Sequence, residues 1–324
     1  MKAYTNKQLT YHSDALNAFR GILSLFNTLW RWHFISALSE EAFALALPWR
    51  PIITAEPRPR KSSHHSEDLA CRTPTWCWTS WTGDIFFDPW RIYSYVGSVV
   101  SLQPTVEQFV IASLDGLRGI MNCKRDADRG NLQEALNDAG IYLDKHGISW
   151  TKSNGKDQNP WDTVLLFKTS ATDLSRVSIQ CVSDPYGIHR EVSDWLKRSC
   201  RYNLWIFDDD GRHCGIFYGL LSTWADFHNP SLCELILLSS FCQTEVKQED
   251  INAYRASLPR EYPSSNDYYN EISDTSQFRH MSCWANNIML IEWSGSLARR
   301  VAVGQIHVDA WRALGSSTKL IALV

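Results

Sequence analysis

The residues best suited to acid–base chemistry are two histidines, each followed two positions later by a carboxylate. His189 and Glu191 lie in the segment YGIHREVSDW, and His307 and Asp309 lie in QIHVDAW. A histidine within hydrogen-bond reach of a carboxylate can act as a general acid or base, because its pKa lies near neutral pH. These four residues are therefore the candidates for catalysis.

Both pairs also have a structural interpretation, which we favour. On a strand His189 and Glu191 point the same way while Asp194 points the other way, so a solvated junction between a strand and a helix explains all three. His307 beside Asp309 fits a packed histidine with a backbone hydrogen bond. The chain also lacks nucleophile-elbow, phosphate-loop, dinucleotide and HExxH motifs. We therefore predict that the protein is not an enzyme.

Cysteine and aspartate spacing predicts neither a metal site nor a cofactor. The nine cysteines include no C-x-x-C pair, and their odd number and irregular spacing do not suit a secreted disulfide framework. We interpret them as reduced, buried thiols. Asp208, Asp209 and Asp210 lack the distal glutamate of a calcium loop, and with Gly211 they favour a hairpin turn.

Charge and hydropathy argue against two kinds of partner. The 324 residues carry a formal net charge of -3 at pH 7, which gives no general attraction to a nucleic-acid backbone. No apolar run approaches the roughly 20 residues of a membrane span, and the first residues lack the apolar core of a signal peptide. We predict a cytoplasmic protein with no membrane span and no nucleic-acid partner.

Tryptophan is the compositional outlier, with 15 Trp beside 12 Tyr and 13 Phe. Three of these tryptophans lie in TPTWCWTSWTGDI, where Trp76, Trp78 and Trp81 precede Gly83. In an extended segment Trp76 and Trp78 share one face, so their indoles can pack between a helical lobe and a β-rich body. The alternative is an aromatic platform for a ligand. We favour the packing role, because tryptophan at this density generally supplies core area.

The N-terminal segment predicts a helical hairpin. Apolar residues recur every three or four positions from Leu16 to Trp30, and Asp14 suits the positive end of the helix dipole in the first turn. A second periodic piece begins near Ser39 and ends before Pro48. The two pieces together would form a pair of packed helices.

The rest of the chain predicts a β-rich body. Short runs such as TVLLFKT, CELILLSSF and NIMLIEW are rich in branched and aromatic residues and are bounded by turn formers, which indicates a sandwich- or barrel-like architecture. The C-terminal end predicts a strand, a short helix ended by Gly315 and a final strand. The fold class is α+β, a helical hairpin packed on a mostly antiparallel body.

Composition also divides the chain into segments. The helical lobe covers residues 1–50, and residues 51–70 form a surface loop rich in Pro, Arg, Ser and His. The tryptophan motif and the β-rich body cover residues 71–324, with a polar excursion at about 116–160. In that excursion only NLQEALNDAGIYL has a helical period.

Three separated segments carry specific motifs. Residues 4–23 read YTNKQLTYHSDALNAFRGIL and include Asp14 and Asn17; residues 74–83 read PTWCWTSWTG; NNIMLIEWSGSLARRVAVGQIHVDAW near the end includes Trp293. They resemble YT.R.LTY.SDALNAF.GIL, PSWSWAGW.G and MLIEW..G.A.RVG.G.I...AW. These patterns belong to the region downstream of the heterokaryon-incompatibility (HET) domain in filamentous fungal proteins. The resemblance covers most of the chain at intervals.

One stretch departs from the family pattern. FISALSEEAFALALPW resembles F.WGLP...F..ALLW, but Ser36, Ala37 and Ser39 stand where the family has Trp, Gly and Pro. The resemblance also does not extend to the HET domain, which in family members precedes the YT.R.LTY stretch and carries an LSY.WG-like motif. The effector activity of that domain is therefore not transferred to any residue of this chain.

The resemblance implies a role in fungal heterokaryon (vegetative) incompatibility and allorecognition cell death. For this chain it implies a non-catalytic regulatory, scaffolding or recognition role, with another protein, such as a HET-domain protein, as the partner. A truncated gene product is a second interpretation, and the oligomeric state is not set. The rival class is a small-molecule binder or hydrolase-like enzyme with a tryptophan-lined pocket, which requires the indoles to converge on an open cleft.

Overall fold

The computed structural model describes a part of the chain that is dominated by β-strands. The described residues are 14–40, 43–51, 56–57, 74–82, 85–86, 100–106, 109–113, 116–120, 141–144, 147–150, 163–180, 204–218, 228–243, 273–274, 276–278 and 285–324. The predicted β-rich body is confirmed.

The helices and strands have the following bounds. The α-helices are α1 (Asp14–Trp30), α2 (Phe43–Ala46) and α3 (Val308–Ala313), and single 3-10 turns cover Trp78–Ser80 and Pro230–Leu232. The strands are β1 (Phe34–Ile35), β2 (Leu38–Ser39), β3 (Arg50–Pro51), β4 (Glu56–Pro57), β5 (Trp81–Thr82), β6 (Ile85–Phe86), β7 (Val100–Pro104), β8 (Phe109–Ser113), β9 (Gly116–Gly119), β10 (Ile141–Asp144), β11 (Gly147–Trp150), β12 (Thr163–Asp173), β13 (Val177–Gln180), β14 (Leu204–Asp208), β15 (His213–Tyr218), β16 (Cys233–Gln243), β17 (Ala285–Ser294), β18 (Leu297–His307) and β19 (Ser317–Leu323).

Five of these strands close into a ring. β16, β17 and β18 form an antiparallel meander, and β18 meets β19 in parallel where Ala298 is opposite Leu323. β19 runs antiparallel to β12, and the end of β12 returns to β16, where Ala171 is opposite Ile236. The order β16–β17–β18–β19–β12 therefore comes back to β16.

Shorter strands extend the ring at its edges. β15, β14 and β13 continue outward from β18, and β8 and β9 continue from β12. β7 pairs with the second half of β16, beyond the residues of β16 that pair with β12. Every strand pair in this sheet is antiparallel except the single β18–β19 contact.

The inside of the ring contains an apolar core. One buried cluster takes a side chain from each of the five strands: Phe167, Ile236, Met289, Val303 and Ile321. The same cluster includes side chains of the N-terminal segment and of the tryptophan motif. The N-terminal segment and the ring therefore share one core.

The outside of the ring is also covered. On β17 the alternate residues Ile288 and Leu290 belong to a second cluster with Trp311 of α3 and Ile206 of β14. α3 thus packs against the outer face of the sheet. A strand buried on both faces has a continuous apolar run in its sequence, as IMLI (residues 288–291) has here.

The predicted helical hairpin is wrong, although its first helix forms. α1 covers the periodic segment, but residues predicted to start the second helix form the β1–β2 hairpin, in which Ser39 is opposite Phe34. The helix that follows is the single turn α2. The hairpin loop consists of Ser36 and Ala37, whose φ values are 48° and 64°, and its second strand takes up Leu38 and Ser39, where the second helix was predicted to begin.

The turn predictions at the other end are confirmed. β14 and β15 form a hairpin, and Gly211 in its loop has a φ of 74°. α3 is followed by Gly315 with a φ of 69° and then by β19, in the predicted order of strand, helix and strand. Both glycines occupy the left-handed region that other residues avoid.

The two predicted surface segments are described only in part. Within residues 116–160, β9 pairs with β8 in the main sheet, while β10 and β11 form a separate hairpin. β10 includes the end of the stretch predicted to be helical. Of residues 51–70, the structure describes positions 51, 56 and 57.

Candidate functional site

The tryptophan motif lies between α1, the β1–β2 hairpin and the ring. Trp76 and Trp78 are fully buried in the shared core. The Trp78 indole N–H donates to the carbonyl of Ala37 at 3.1 Å, and Phe19 of α1 meets the Trp78 ring edge-on at 5.3 Å. The Trp78 side chain therefore contacts both α1 and the loop of the β1–β2 hairpin.

A row of aromatic side chains connects Trp76 with β8 and β12 of the main sheet. Trp76 meets Phe43 of α2 at 5.9 Å between ring centroids, Phe43 meets Phe109 of β8 at 5.2 Å, and Phe109 meets Phe167 of β12 at 5.1 Å. Edge-on and tilted contacts at these distances are favourable. Among the described residues the Trp76 indole N–H has no hydrogen-bond partner, so the contacts of its ring with them are apolar.

The other residues of the predicted structural motif are placed as follows. Trp81 is partly buried, donates to the carbonyl of Thr75 at 2.9 Å and meets Trp49 edge-on at 5.7 Å. Trp293 of β17 is partly buried against the same core. Asp14 and Asn17 lie in the first two turns of α1, with side chains outside the described set, and Gly83 is itself outside the described residues.

Arg300 is the central polar residue of this junction. It lies on β18, is buried, and donates from Nη1 to the carbonyl of Leu47 at 3.1 Å and from Nη2 to the carbonyl of Trp49. Its guanidinium lies over the Trp49 ring, 3.6 Å from the centroid. Burial lowers the pKa of this guanidinium well below its usual value.

Thr75 joins the junction to the C-terminal end of the chain. Its hydroxyl donates to the carbonyl of Val324 and accepts from the backbone N–H of Arg300 at 3.1 Å. The backbone N–H of Val324 donates to the carbonyl of Ala298 at 2.9 Å. The tryptophan motif, β18 and the last residue are thus held by one set of hydrogen bonds.

Arg300 is not among the residues that the sequence motifs single out, although a signal for its burial is present in the sequence. Arg299 and Arg300 are adjacent on a predicted strand, so their side chains must point to opposite faces. When both faces of the strand are covered, one of the two must lie in the core. The structure buries Arg300 and leaves Arg299 half-exposed.

The His307–Asp309 pair has the geometry of a helix cap. His307 is fully buried, and its Nδ1 accepts a hydrogen bond from the backbone N–H of Asp309 at 3.2 Å, at the start of α3. The Asp309 carboxylate is 3.9 Å from Nδ1 and pairs instead with Arg312 at 3.2 Å. The lone pair that a general base would use is therefore occupied by the helix N-terminus.

The second candidate pair cannot be placed in the same way. His189 and Glu191, with the neighbouring Asp194, lie outside the described residues.

A different histidine and carboxylate do meet in the structure. His228 Nδ1 lies 3.1 Å from Glu292 Oε2, and Glu292 also accepts from Arg299 at 2.7 Å and from the backbone N–H of Asn229 at 3.2 Å. Burial alone would raise the pKa of Glu292, but these hydrogen bonds and nearby positive charges outweigh it and lower the pKa. Because three partners keep the Glu292 carboxylate ionised, it is a poor proton donor. Its contacts with His228 and Asn229 instead hold the turn that precedes β16.

Two of the buried thiols, those of Cys214 and Cys233, are poor nucleophiles. Cys77, Cys214 and Cys233 are buried. Burial raises the pKa of Cys233 to about 12, and the charge of Glu292 adds to this effect. Burial also raises the pKa of Cys214. Because the thiolate is the reactive form, neither cysteine is activated.

A row of polar side chains crosses four strands of the sheet. Tyr218 donates to Gln305 at 2.6 Å, Gln305 donates to Asn287 at 3.2 Å, and Asn287 donates to Ser239 at 2.8 Å. All four residues are buried, and the guanidinium of Arg50 lies 4.1 Å above the Tyr218 ring. The side-chain amides of Gln305 and Asn287 hydrogen-bond to each other and to the hydroxyls at the two ends of the row. These bonds fix the register of the four strands β15, β18, β17 and β16.

Comparisons with protein-family models, with curated proteins and with solved structures give no match. Within the described ranges, no group of three or more His, Cys, Asp and Glu side chains is arranged to hold a metal ion. No helix among the described elements is long and apolar enough to cross a membrane. The function must therefore be argued from the contacts of this chain and from its sequence motifs.

Proposed function

We propose that the chain is a non-catalytic HET-associated C-terminal region with a regulatory, scaffolding or recognition role in fungal heterokaryon incompatibility. The motifs that carry the family resemblance support this proposal, and the contacts described above give those motifs a packing role. The partner that this role requires is another protein, such as a HET-domain protein.

The observation that carries the proposal is the backbone of Ala37. Ser36 and Ala37 are the two loop residues of the β1–β2 hairpin, and both have positive φ. Two-residue hairpin loops of this kind favour glycine at the second position. The family pattern F.WGLP has glycine at this position, and the positive φ of Ala37 is a geometry that favours glycine, which supports the resemblance.

The contacts between the motifs are a second support. Trp78 of the tryptophan motif binds the carbonyl of Ala37, and Arg300 of the C-terminal motif binds the carbonyls of Leu47 and Trp49. Three stretches that are far apart in sequence and that all carry the resemblance therefore meet at one junction. The packing of these residues against one another explains such motifs without a catalytic site.

The rival class, a small-molecule binder or hydrolase-like enzyme, requires the indoles to face a cleft. Trp76 and Trp78 are covered by protein on all sides, and Trp81 is partly covered by Trp49. The His307 ring is also buried, and it caps the N-terminus of α3. Within the described part of the chain, none of these four side chains lines an open cleft, so none of them supports a small-molecule binder or a hydrolase-like enzyme.

Expression in a filamentous fungus tests the proposed role. The chain is expressed alone and together with a HET-domain protein that causes an incompatibility reaction, and cell death is scored in each strain. We expect normal growth with the chain alone, and a change in the strength of the reaction when both proteins are present. The variant Arg300→Lys, which weakens the described junction, should reduce that change.

Two results would contradict the proposal. Death caused by the chain alone would make it an effector in its own right. An incompatibility reaction that is the same with and without the chain, while the protein accumulates in folded form, would leave it without a regulatory role.

A further inference from the structure

A short turn of the chain lies against the sheet at two buried histidines. The backbone N–H of Asp274 donates to the carbonyl of His213 at 3.0 Å, and the buried Phe278 ring meets the His307 ring at 4.8 Å between centroids. His213 begins β15 and His307 ends β18, and these strands are neighbours. We call the described residues of this turn, 273–274 and 276–278, the latch.

The latch has internal hydrogen bonds of its own. Oδ1 of Asp274 accepts from the backbone N–H and the hydroxyl of Ser276, at 2.9 and 2.7 Å. The carbonyl of Asp274 accepts from the backbone N–H groups of Gln277 and Phe278, at 3.0 and 2.9 Å. None of these four bonds involves the sheet. The latch can therefore leave the sheet as one unit, which is how local opening occurs in folded proteins.

The surroundings of His213 fit a neutral ring. Its Nε2 lies 3.0 Å from the carbonyl of Gly215, which can only accept, so Nε2 carries the hydrogen and Nδ1 of the neutral ring has none. The ring is stacked on Trp205 at 3.7 Å and lies 5.7 Å from the Phe207 ring, and the residue is buried. A charged imidazolium in this place loses most of its hydration.

His307 also requires a neutral ring. Its Nδ1 accepts from the backbone N–H of Asp309 at the start of α3, so a proton on Nδ1 removes this acceptor. The Asp309 carboxylate, 3.9 Å from Nδ1, favours such a proton, but it pairs with Arg312 at 3.2 Å. Phe278 of the latch therefore packs on a ring whose hydrogen bond depends on the unprotonated form.

The described charges around His213 do not offset its burial. Asp274 of the latch favours the protonated ring, but burial has the larger effect and lowers the pKa of His213 to about 4. The other charged or titratable side chains of the β14–β15 hairpin are Asp208, Asp209, Asp210, Arg212 and Cys214. The aspartates pair with Arg212 or with Arg176, and burial keeps the thiol uncharged by raising its pKa.

We propose that the latch is an acid-sensitive element: a proton on His213 favours release of the latch from the sheet, while the ring of five strands stays folded. The release gives the imidazolium access to water and separates the Phe278 ring from His307. This device is independent of the role proposed above, since it depends only on contacts within the chain. Acid would expose a surface at the ends of β15 and β18 that the latch covers in neutral solution.

The pH range of release follows from the two forms of His213. With the latch released, a histidine in water binds a proton near its ordinary pKa of about 6.5, whereas burial under the closed latch lowers the pKa to about 4. The released form therefore binds the proton more strongly, and release becomes more favourable as the pH falls from about 6.5 toward 4. The interior of the ring need not open, because Phe278 belongs to the buried cluster outside it.

The backbone N–H of Asp274 reports the release, because its acceptor lies on the sheet. Amide hydrogen exchange of the full chain is measured at pH 7 and pH 5 and corrected for the pH dependence of exchange in unstructured peptides. We expect the protection of the Asp274 amide to fall by about twentyfold between these pH values, because of the two proton affinities of His213. The amides of β17 should stay more protected than the Asp274 amide at both pH values.

Two variants without a titrating group at position 213 isolate the cause. In His213→Gln, and in His213→Phe, which keeps an aromatic ring on Trp205, the corrected protection of the Asp274 amide should be the same at pH 7 and pH 5. His228→Gln is the matched control, because the His228 side chain is partly exposed and pairs with Glu292 rather than with the latch. This control should retain the fall in protection.

Four outcomes would overturn the inference. They are an Asp274 amide with the same protection at both pH values in the natural chain, an undiminished fall in a His213 variant that folds, loss of the fall in His228→Gln, and an Asp274 amide that is as protected as the amides of β17. The last result would mean that the latch opens only when the whole structure unfolds.

Discussion

At the scale of single residues, the unusual feature is a buried cation with no carboxylate at hydrogen-bond distance among its described contacts. Arg300 is held by the carbonyls of Leu47 and Trp49 and by the face of the Trp49 ring. Carbonyl dipoles and an aromatic quadrupole replace part of the hydration that the guanidinium loses. This arrangement depends on a planar group with several N–H donors, which only arginine provides.

Arg300→Lys tests that dependence. The single ammonium of lysine cannot bond both carbonyls while lying flat on the indole, so one carbonyl loses its partner. We expect the free energy of unfolding to fall by about 2 to 4 kcal/mol. Denaturant unfolding measures the change. Arg312→Lys, on a side chain that is 70% exposed, should change it by less than about 0.5 kcal/mol. Equal effects of the two substitutions would contradict the assigned role.

His213 gives the described structure a pH dependence. Its ring is stacked on Trp205 at 3.7 Å, and burial lowers its pKa to about 4, although a hydrogen bond to Gly215 and the charge of Asp274 act in the opposite direction. In the unfolded chain a histidine titrates near its ordinary pKa of about 6.5. The unfolded state therefore binds the proton first as the pH falls.

Because the folded pKa is the lower one, the stabilisation is complete above about pH 6.5 and is lost as the pH falls toward 4. We expect His213 to account for a loss of about 2 kcal/mol between about pH 7 and pH 5. Denaturant unfolding of the natural chain and of His213→Gln at both pH values isolates this contribution. The same pH dependence in both proteins would show that His213 is not responsible.

At the scale of elements, tertiary contacts decide the structure between α1 and β3. The apolar periodicity of this stretch favours a second helix, yet the carbonyls of Ser36 and Ala37 accept hydrogen bonds from the Cys77 thiol at 2.7 Å and from Trp78 at 3.1 Å. These donors come from the tryptophan motif, about 40 positions later in the chain. A local pattern cannot report a donor that is so distant in sequence, so it does not predict the β1–β2 hairpin, whose second strand takes up Leu38 and Ser39, where the second helix was expected to begin.

Ala37→Gly tests the geometry of the β1–β2 loop. A left-handed backbone is costly for alanine and not for glycine, while glycine loses more entropy on folding. We expect the net effect to be a stabilisation of roughly 0.5 to 1 kcal/mol in thermal or denaturant unfolding. Ala310→Gly, in α3, should instead destabilise by about 1 kcal/mol. Destabilisation by both substitutions would contradict the positive φ of Ala37 and the family likeness argued from it.

The strands are the elements that the sequence predicts best. β12, β14, β16 and β17 each fall on an apolar run, and the β14–β15 turn falls on the Asp–Gly pair. Burial on both faces makes such runs continuous, so they are easy to find. Because such runs are apolar at every position, they do not show which residues point into the ring of strands. For the same reason the sequence does not predict that Arg300 points inward.

At the scale of the whole molecule, the chain closes on itself through its last strand. β19 pairs with β12 over seven residues and contacts β18 at its end, and Val324 binds Thr75. None of these pairings is visible in the sequence, because each joins segments more than 100 positions apart or depends on a single backbone contact. Ring closure is therefore a property that sequence periodicity could not predict.

Removal of residues 317–324 should open the ring. The interior faces of β12 and β18 would lose their cover at Ile321 and Leu323, both fully buried. We expect the loss of a cooperative thermal transition and the appearance of dye-accessible apolar surface, measured by near-UV circular dichroism and by dye fluorescence. Lys319→Ala, which removes an exposed ion pair on the same strand, should cost less than about 1 kcal/mol. A cooperative transition retained after the deletion would contradict ring closure.

The central claim is that the tryptophan motif joins the N-terminal lobe to the ring by packing. Equilibrium unfolding of Trp78→Ala and Trp30→Ala tests it most directly, since the first indole is fully buried and the second is 57% exposed. We predict that Trp78→Ala lowers the free energy of unfolding by about 3 to 5 kcal/mol and that Trp30→Ala lowers it by less than about 1 kcal/mol. An unfolding free energy that Trp78→Ala leaves unchanged would contradict the claim.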